Sequence, residues 1–309
     1  MKYFALGLRI AIGLGLIVGV SIYIYDSDIA QAQFSRLNPV WLGLAAFSIV
    51  CSTLMGAFNV YLLGHQRNVM SLSRFIPLYW IAWAIGLIFP GQIGDMAALS
   101  AMLKKKGMDM HASLGRLLLD KMISLLVISL FALWGIATVI SWDTTLFTPG
   151  YLLFMVIAMV ALLVVARRKI KVYLHAFLPR IAQFVGNIGL EFDLIFKGSL
   201  ARVFLNLIIT VVKTMLSGFA YWCVFAGFGY TQGDFIQFVG LVAASSVVAY
   251  LPISVNGIGT AEITGIVLFS KIGIPDATIL SVYLTLRVTV LVLAWLPTGL
   301  LLMFMREKS

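Results

Sequence analysis

The run from Val40 to Gly64 contains no charged residue and is long enough to cross a bilayer as one helix, which needs about 20 apolar residues. Comparable runs recur along the chain, so that 61% of its 309 residues are hydrophobic and only 11% are charged. Soluble domains carry about 25% charged residues. In lipid, helices satisfy their own backbone hydrogen bonds. We therefore expect an all-α polytopic membrane protein, with residues 1–309 forming a single transmembrane domain.

One apolar run, from Phe235 to Ser270, is interrupted near its middle and has Glu262 just beyond the interruption. The residues that interrupt it are Pro252, Asn256, Gly257 and Gly259. Proline removes a backbone donor, and glycine loosens a helix. Broken backbone at membrane depth is tolerated only where protein or a water-filled cavity covers it. The pattern predicts two half-helices that meet at a break. Glu262 would lie in the first turn of the second, where the helix dipole favours a carboxylate.

A weaker copy of this pattern lies between Phe75 and Leu103, where Asp95 follows the break. The residues of this break are Pro90, Gly91 and Gly94. Lys121 and Arg287 also match, since they lie equally far beyond Gly107 and Gly273. Interrupted hydrophobic segments at corresponding places in two halves of a chain indicate a transporter's binding site. We interpret residues 75–166 and 235–305 as the two halves of a duplication.

The first interrupted segment is too short to span a membrane before its break. Phe75 to Phe89 is about 22 Å long as a helix, against a bilayer core of roughly 30 Å. We therefore expect a re-entrant hairpin that enters and leaves on one side. A second hairpin at 235–270, entering from the opposite side, would complete an inverted repeat.

About six full spans complete the predicted topology. They are Leu6–Tyr25, Val40–Gly64, Met122–Trp142, Tyr151–Ala166, Val203–Phe228 and Ala277–Met305. Residues 170–198 place apolar side chains on one helical face, which predicts an amphipathic helix on the inner membrane surface. A cytoplasmic extension of the next helix is the alternative interpretation.

The basic residues orient this topology. With both termini cytoplasmic, Arg36 and Lys271 fall outside, three basic residues fall within spans, and all other Lys and Arg fall on the cytoplasmic side. This distribution follows the positive-inside rule and predicts a multi-pass protein of the plasma (inner) membrane. It also explains the net charge of +10 without nucleic acid as a partner.

Six charged residues lie within or beside apolar runs, where each costs about 2.5–3.5 kcal/mol. They are Asp95, Asp120, Lys121, Lys213, Glu262 and Arg287. A structural interpretation pairs Glu262 with Arg287, and Asp95 or Asp120 with Lys121. A functional one has the basic residues contact a lipid phosphate while the carboxylates relay protons or gate. Snorkelling to the interface is the third possibility. Because Arg contacts phosphate in a bidentate manner, Arg287 is the first candidate for substrate binding.

The two breaks also carry a family resemblance. The segments 90–95 and 251–262 resemble the two signatures of the lysylphosphatidylglycerol synthase transmembrane family, the flippase-like domain. The chain differs from the first signature at Gln92, where the family usually has Arg, and at Asp95, where it has Glu; it also has Lys121 in place of Arg. Some members carry a cytoplasmic synthase domain. This chain ends at Ser309, soon after its last apolar segment, so we expect none here.

The resemblance implies a flippase-like transporter that moves an anionic lipid or lipid-linked glycan precursor between leaflets. The partner would be a membrane phospholipid or a polyprenyl-phosphate-linked lipid. No nucleotide-binding motif is present, so we expect no direct ATP drive. We also expect no cofactor and no enzymatic activity, since the outer loops are short and their acidic residues Asp143 and Asp234 stand alone. The scattered histidines His65, His111 and His175 show no metal-ligand spacing. One alternative is a non-transporting membrane partner of a lipid-modifying or glycosylation complex. A membrane-embedded polyprenyl-phosphate transferase is the other.

Overall fold

The structure is a computed structural model that describes residues 37–64, 70–89, 94–140, 198–230, 233–250, 254 and 256–306. In these ranges the regular structure is helical. The α-helices are α1 (Pro39–Leu63), α2 (Leu72–Gly86), α3 (Gly94–Lys104), α4 (Met110–Val139), α5 (Leu200–Gly227), α6 (Phe235–Tyr250), α7 (Thr260–Phe269) and α8 (Asp276–Arg306). This confirms the prediction of an all-helical protein.

Four of these helices are long and apolar enough to cross a membrane, judged by length and composition. They are α1, α4, α5 and α8. The bounds of α1, α5 and α8 lie within a few residues of the predicted spans, and α8 continues through Pro297. Helix α4 begins at Met110, about three turns before the predicted Met122, because the charged residues ahead of the apolar run are also helical. The predicted spans Leu6–Tyr25 and Tyr151–Ala166 and the amphipathic segment 170–198 lie outside the described residues, so a count of about six spans stays a prediction.

The second interrupted segment folds as two helices that lie side by side. Helix α6 ends at Tyr250 and α7 begins at Thr260, with Glu262 in its first turn, as the sequence predicted. The rings of Phe238 and Phe269 lie 5.3 Å apart, so the far ends of the two helices meet and the chain reverses direction.

The backbone of this second break requires glycine. Asn256, Gly257 and Gly259 have φ angles of 48°, 72° and 83°, in the left-handed region that favours glycine and tolerates asparagine. A Cβ on Gly257 would lie 2.4 Å from the Cβ of Ala249, which leaves no room for a side chain. Pro252, the remaining predicted residue of this break, lies outside the described residues.

The first interrupted segment also folds as two packed helices, α2 and α3. Helix α2 begins at Leu72, before the apolar run, and includes the exposed Arg74 in its first turn. A Cβ on Gly86 would lie 2.8 Å from the Cβ of Asp95, so the end of α2 closely approaches the start of α3. Gly94 begins α3, whereas Pro90 and Gly91 lie outside the part of the chain that the structure describes.

The helices of both pairs pack against the long helices of the described bundle. Helix α1 packs along α5, α4 packs along α6, and α2 packs against α8. The indole N–H of Trp80 on α2 donates to the carbonyl of Leu293 on α8 at 3.1 Å. Each helix pair therefore contacts the long helix that follows it in sequence and also the long helix that follows the other pair.

Candidate functional site

An ion pair joins the second helix pair to α8. The Arg287 Nε donates to Glu262 Oε1, and Arg287 Nη1 donates to the carbonyl of Asn256 at 3.3 Å. The other Glu262 oxygen accepts the backbone N–H of Gly259 at 2.7 Å, which satisfies a donor at the start of α7 that has no partner within the helix. One guanidinium therefore holds the break and the helix beyond it.

A second ion pair occupies the corresponding place in the first helix pair. The Lys121 Nζ on α4 lies 2.7 Å from Asp95 Oδ2 on α3. The other Asp95 oxygen accepts the backbone N–H of Met96 at 2.8 Å. Lys121 also lies over the Tyr250 ring, 5.9 Å from its centroid, at the end of α6. This cation therefore connects α4 with both helix pairs.

The sequence left Asp95 and Asp120 as alternative partners of Lys121, and the structure pairs Lys121 with Asp95. The carboxylate of Asp120 is buried and accepts the side-chain N–H of Asn206 on α5 at 2.9 Å. Asn59 on α1 donates to Thr210 Oγ1 at 2.9 Å and to the carbonyl of Asn206 at 3.2 Å. A buried polar network therefore joins α1, α4 and α5, and it orients the carboxylate of Asp120.

Lys213 on α5 is a cation for which the described residues provide no salt-bridge partner. It lies against Gly56 on α1, since its Nζ would be 3.4 Å from a Cβ placed there. The Tyr79 hydroxyl would be 2.5 Å from the same Cβ. The missing side chain at Gly56 thus makes room for an ammonium group and a phenol at one point.

Two cavities lie beside these charges. The first has a volume of about 580 Å³ and is lined mainly by apolar and aromatic side chains, among them Trp83 and Trp295, with Arg287 and Asn256 in its wall. The second has a volume of about 270 Å³ and is lined by four of the six predicted charged residues. These are Asp95, Asp120, Lys121 and Lys213. Asn256 lines both cavities.

The structure thus brings the predicted charges together in two groups. Glu262 lines neither cavity, but it contacts Arg287, which lines the first. The sequence analysis did not single out Tyr79 and Tyr250, which line the second cavity, or Asn59 and Asn206, which position Asp120. An asparagine inside an uncharged apolar run was a usable signal, because a buried amide needs hydrogen-bond partners.

The family comparison covers both helix pairs and all six charged residues. The family model described as the lysylphosphatidylglycerol synthase TM region matches residues 6–297. Neither a curated protein nor a solved structure matches the chain. The matched residues include most of the chain, with both breaks and both ion pairs. The chain therefore belongs to the lysylphosphatidylglycerol synthase TM region family.

Proposed function

We propose that the protein is a flippase-like transporter that moves an anionic lipid or lipid-linked glycan precursor between leaflets without ATP. One observation carries the proposal. Two cavities with basic residues in their walls lie beside the breaks of two helix pairs, and the described part of the chain contains four helices apolar enough to cross a membrane. Buried basic residues that face a cavity in a membrane protein mark substrate or ion pathways.

The first cavity suits an amphiphile. Its walls are mainly apolar, and Arg287 supplies the charge. A guanidinium has five N–H donors, of which Glu262 and the carbonyl of Asn256 each accept one. The remaining donors suit the oxygens of a phosphate, and acyl or prenyl carbon would contact the aromatic walls. Glu262 then serves as the resting partner that a phosphate displaces from Arg287.

The second cavity suits the same headgroup at another stage. Lys121 and Lys213 supply two ammonium groups, while Asp95 and Asp120 supply two carboxylates. An arriving phosphate would compete with Asp95 for Lys121 and meet Lys213 directly. The two carboxylates would release or accept protons as the lipid passes.

The packing supports an inverted repeat as the basis of alternating access. Helices α1 to α4 and α5 to α8 each comprise a long helix, a broken helix pair and a second long helix. Contacts within one set have counterparts in the other, and the contacts between α2 and α8 correspond to those between α6 and α4. In this proposal both pairs are re-entrant hairpins that enter from opposite faces, in a plasma membrane protein with about six full spans and cytoplasmic termini.

The test is leaflet-resolved movement of labelled lipids in proteoliposomes. We expect Arg287→Gln to slow lipid movement on the order of 10- to 100-fold, because a hydrogen bond to a charged group is lost from the pathway. Glu262→Gln should alter the rate as well, since the guanidinium loses its resting partner. Lys271→Gln is the matched control, because Lys271 is exposed and lines neither cavity. Equal rates for Arg287→Gln and Lys271→Gln would remove Arg287 from the mechanism.

A further inference from the structure

Several residues line both cavities, and the charged residues do not explain why this shared wall contains uncharged polar side chains. Both cavities are lined by residues from α1, α5, α6 and the second break. The polar ones are Ser52, Thr53, Ser217, Ser246 and Asn256. Ser52 is partly buried and Ser217 is exposed, so a hydroxyl in this wall can bond either to the protein's own backbone or to a ligand.

The four hydroxyl groups in this wall divide into two kinds. Thr53 Oγ1 donates to the carbonyl of Ile49 at 2.9 Å, and Ser246 Oγ donates to the carbonyl of Val242 at 2.9 Å. These two hydroxyls are satisfied within their own helices. Ser52 and Ser217, by contrast, have no hydrogen-bond partner among the described residues.

Ser52 lies on α1 and Ser217 lies on α5, and a hydrogen bond joins these two helices close to both serines. Ser48 Oγ on α1 donates to the carbonyl of Leu216 on α5 at 2.8 Å. Ser52 lies one helical turn beyond Ser48, and Ser217 is the residue after Leu216. Both serines line the cavity that contains Arg287 and also the cavity that contains Lys121 and Lys213, and their O–H donors are not used by the described residues.

We propose that Ser52 and Ser217 form an uncharged contact site for a phosphate group that passes between the two cavities. The inference rests on the proposed function, because it assigns the step between the two basic sites. Two hydroxyl donors suit phosphate oxygens, which only accept. A neutral site holds the anion more weakly than the cations on either side, because it supplies no opposite charge to attract the phosphate. A weak intermediate contact lets the headgroup leave again.

The test uses a reporter thiol that does not remove either donor. Thr53→Cys, in a Cys51→Ala background, places a thiol in the shared wall, and its reaction with an anionic methanethiosulfonate is timed in detergent. Phosphatidylglycerol is the probe, dioleoylglycerol is the neutral lipid and inorganic phosphate is the free anion. We expect only phosphatidylglycerol to slow the modification, by about tenfold, the value of a hydrogen bond to a charged group.

A second set of variants compares Ser52 and Ser217 with Ser246, whose hydroxyl is hydrogen-bonded within its own helix. Adding Ser52→Ala and Ser217→Ala to the reporter should weaken protection by phosphatidylglycerol, whereas adding Ser246→Ala should leave it unchanged. An unchanged reaction rate without lipid and an unchanged elution volume show that the variants are folded. Equal protection in the two sets of variants, or protection by dioleoylglycerol, overturns the inference. Protection by inorganic phosphate alone overturns the assignment to a lipid.

This measurement separates the inference from the proposed function. Protection of the thiol requires binding and does not require movement between leaflets. If lipid movement is absent but the two serines govern protection, the transport proposal fails and the phosphate site stands. If lipid moves and the alanine pair neither alters protection nor slows movement, the site fails and transport stands.

Discussion

Helices α4 and α6 approach each other closely at Gly135 and Gly240, and a single methyl group tests this contact. A Cβ on Gly135 would lie 2.3 Å from the carbonyl carbon and 2.6 Å from the Cα of Gly240. Carbon atoms contact best at about 3.5–4.0 Å. The obstructing atoms are backbone, so no side-chain rotation relieves the overlap. Gly135→Ala therefore forces α4 and α6 apart by about 1 Å or more.

The magnitude follows from two opposing effects. Overpacking of this kind costs about 1–3 kcal/mol. Replacing a mid-helix glycine by alanine recovers about 0.5–1 kcal/mol. The free energy of unfolding should therefore fall by about 0–2.5 kcal/mol relative to wild type, and by about 1–3 kcal/mol relative to a glycine-to-alanine variant that meets no obstruction. Since 1 kcal/mol shifts the melting temperature by about 2–4 °C for chains of 150–250 residues, we expect Tm to lie about 2–12 °C below that of such a variant.

The chain offers matched controls for this substitution. Gly43 on α1 and Gly299 on α8 are also helical, and a Cβ at either would meet nothing within 4 Å. Gly43→Ala and Gly299→Ala should therefore leave Tm unchanged or raise it slightly, through helix propensity alone. Thermal unfolding in one detergent, followed by tryptophan fluorescence, compares the three variants. A Tm for Gly135→Ala equal to that of Gly299→Ala would refute the close packing of α4 on α6.

Three further substitutions test the charged groups. Arg287→Met should destabilise the protein by about 1–3 kcal/mol, because Glu262 is left buried without its partner. Adding Glu262→Leu should recover part of this loss, which a double-mutant cycle measured by thermal unfolding would show. Lys213→Met should slow lipid movement in proteoliposomes, whereas Lys213→Arg should retain most of it, because only the charge facing the second cavity is needed. Equal rates for these two variants would argue against Lys213 as a contact. Asn206→Leu should lower stability by about 1–3 kcal/mol, since Asp120 loses its donor, and the loss should shrink in an Asp120→Asn background.

The breaks could be predicted because the chemistry that causes them is local. Proline and glycine disfavour helix within the run that contains them, so the end of α6 and the start of α7 followed from the sequence. The position of Glu262 in the first turn of α7 followed as well. The partner of Lys121 was left open between Asp95 and Asp120. Adjacent residues of a helix do not face each other, which disfavours Asp120 and agrees with the observed pair.

The shared wall and the close packing could not be predicted, because they depend on contacts between distant segments. Ser52 and Ser217 are ordinary serines in apolar runs until α1 packs along α5. Gly135 and Gly240 likewise acquire a role only where two helices meet. Among the many serines and glycines of this chain, one sequence by itself gives no means of choosing these pairs.

The most direct test of transport is the fate of a headgroup-labelled phospholipid in vesicles that contain the wild-type protein. A membrane-impermeant quencher is added outside, and the loss of label is followed over time. We predict that label from the inner leaflet is also lost, at a rate that rises with the amount of protein and requires no ATP. Loss confined to the outer leaflet, as in protein-free vesicles, would contradict the proposal that this chain moves lipid.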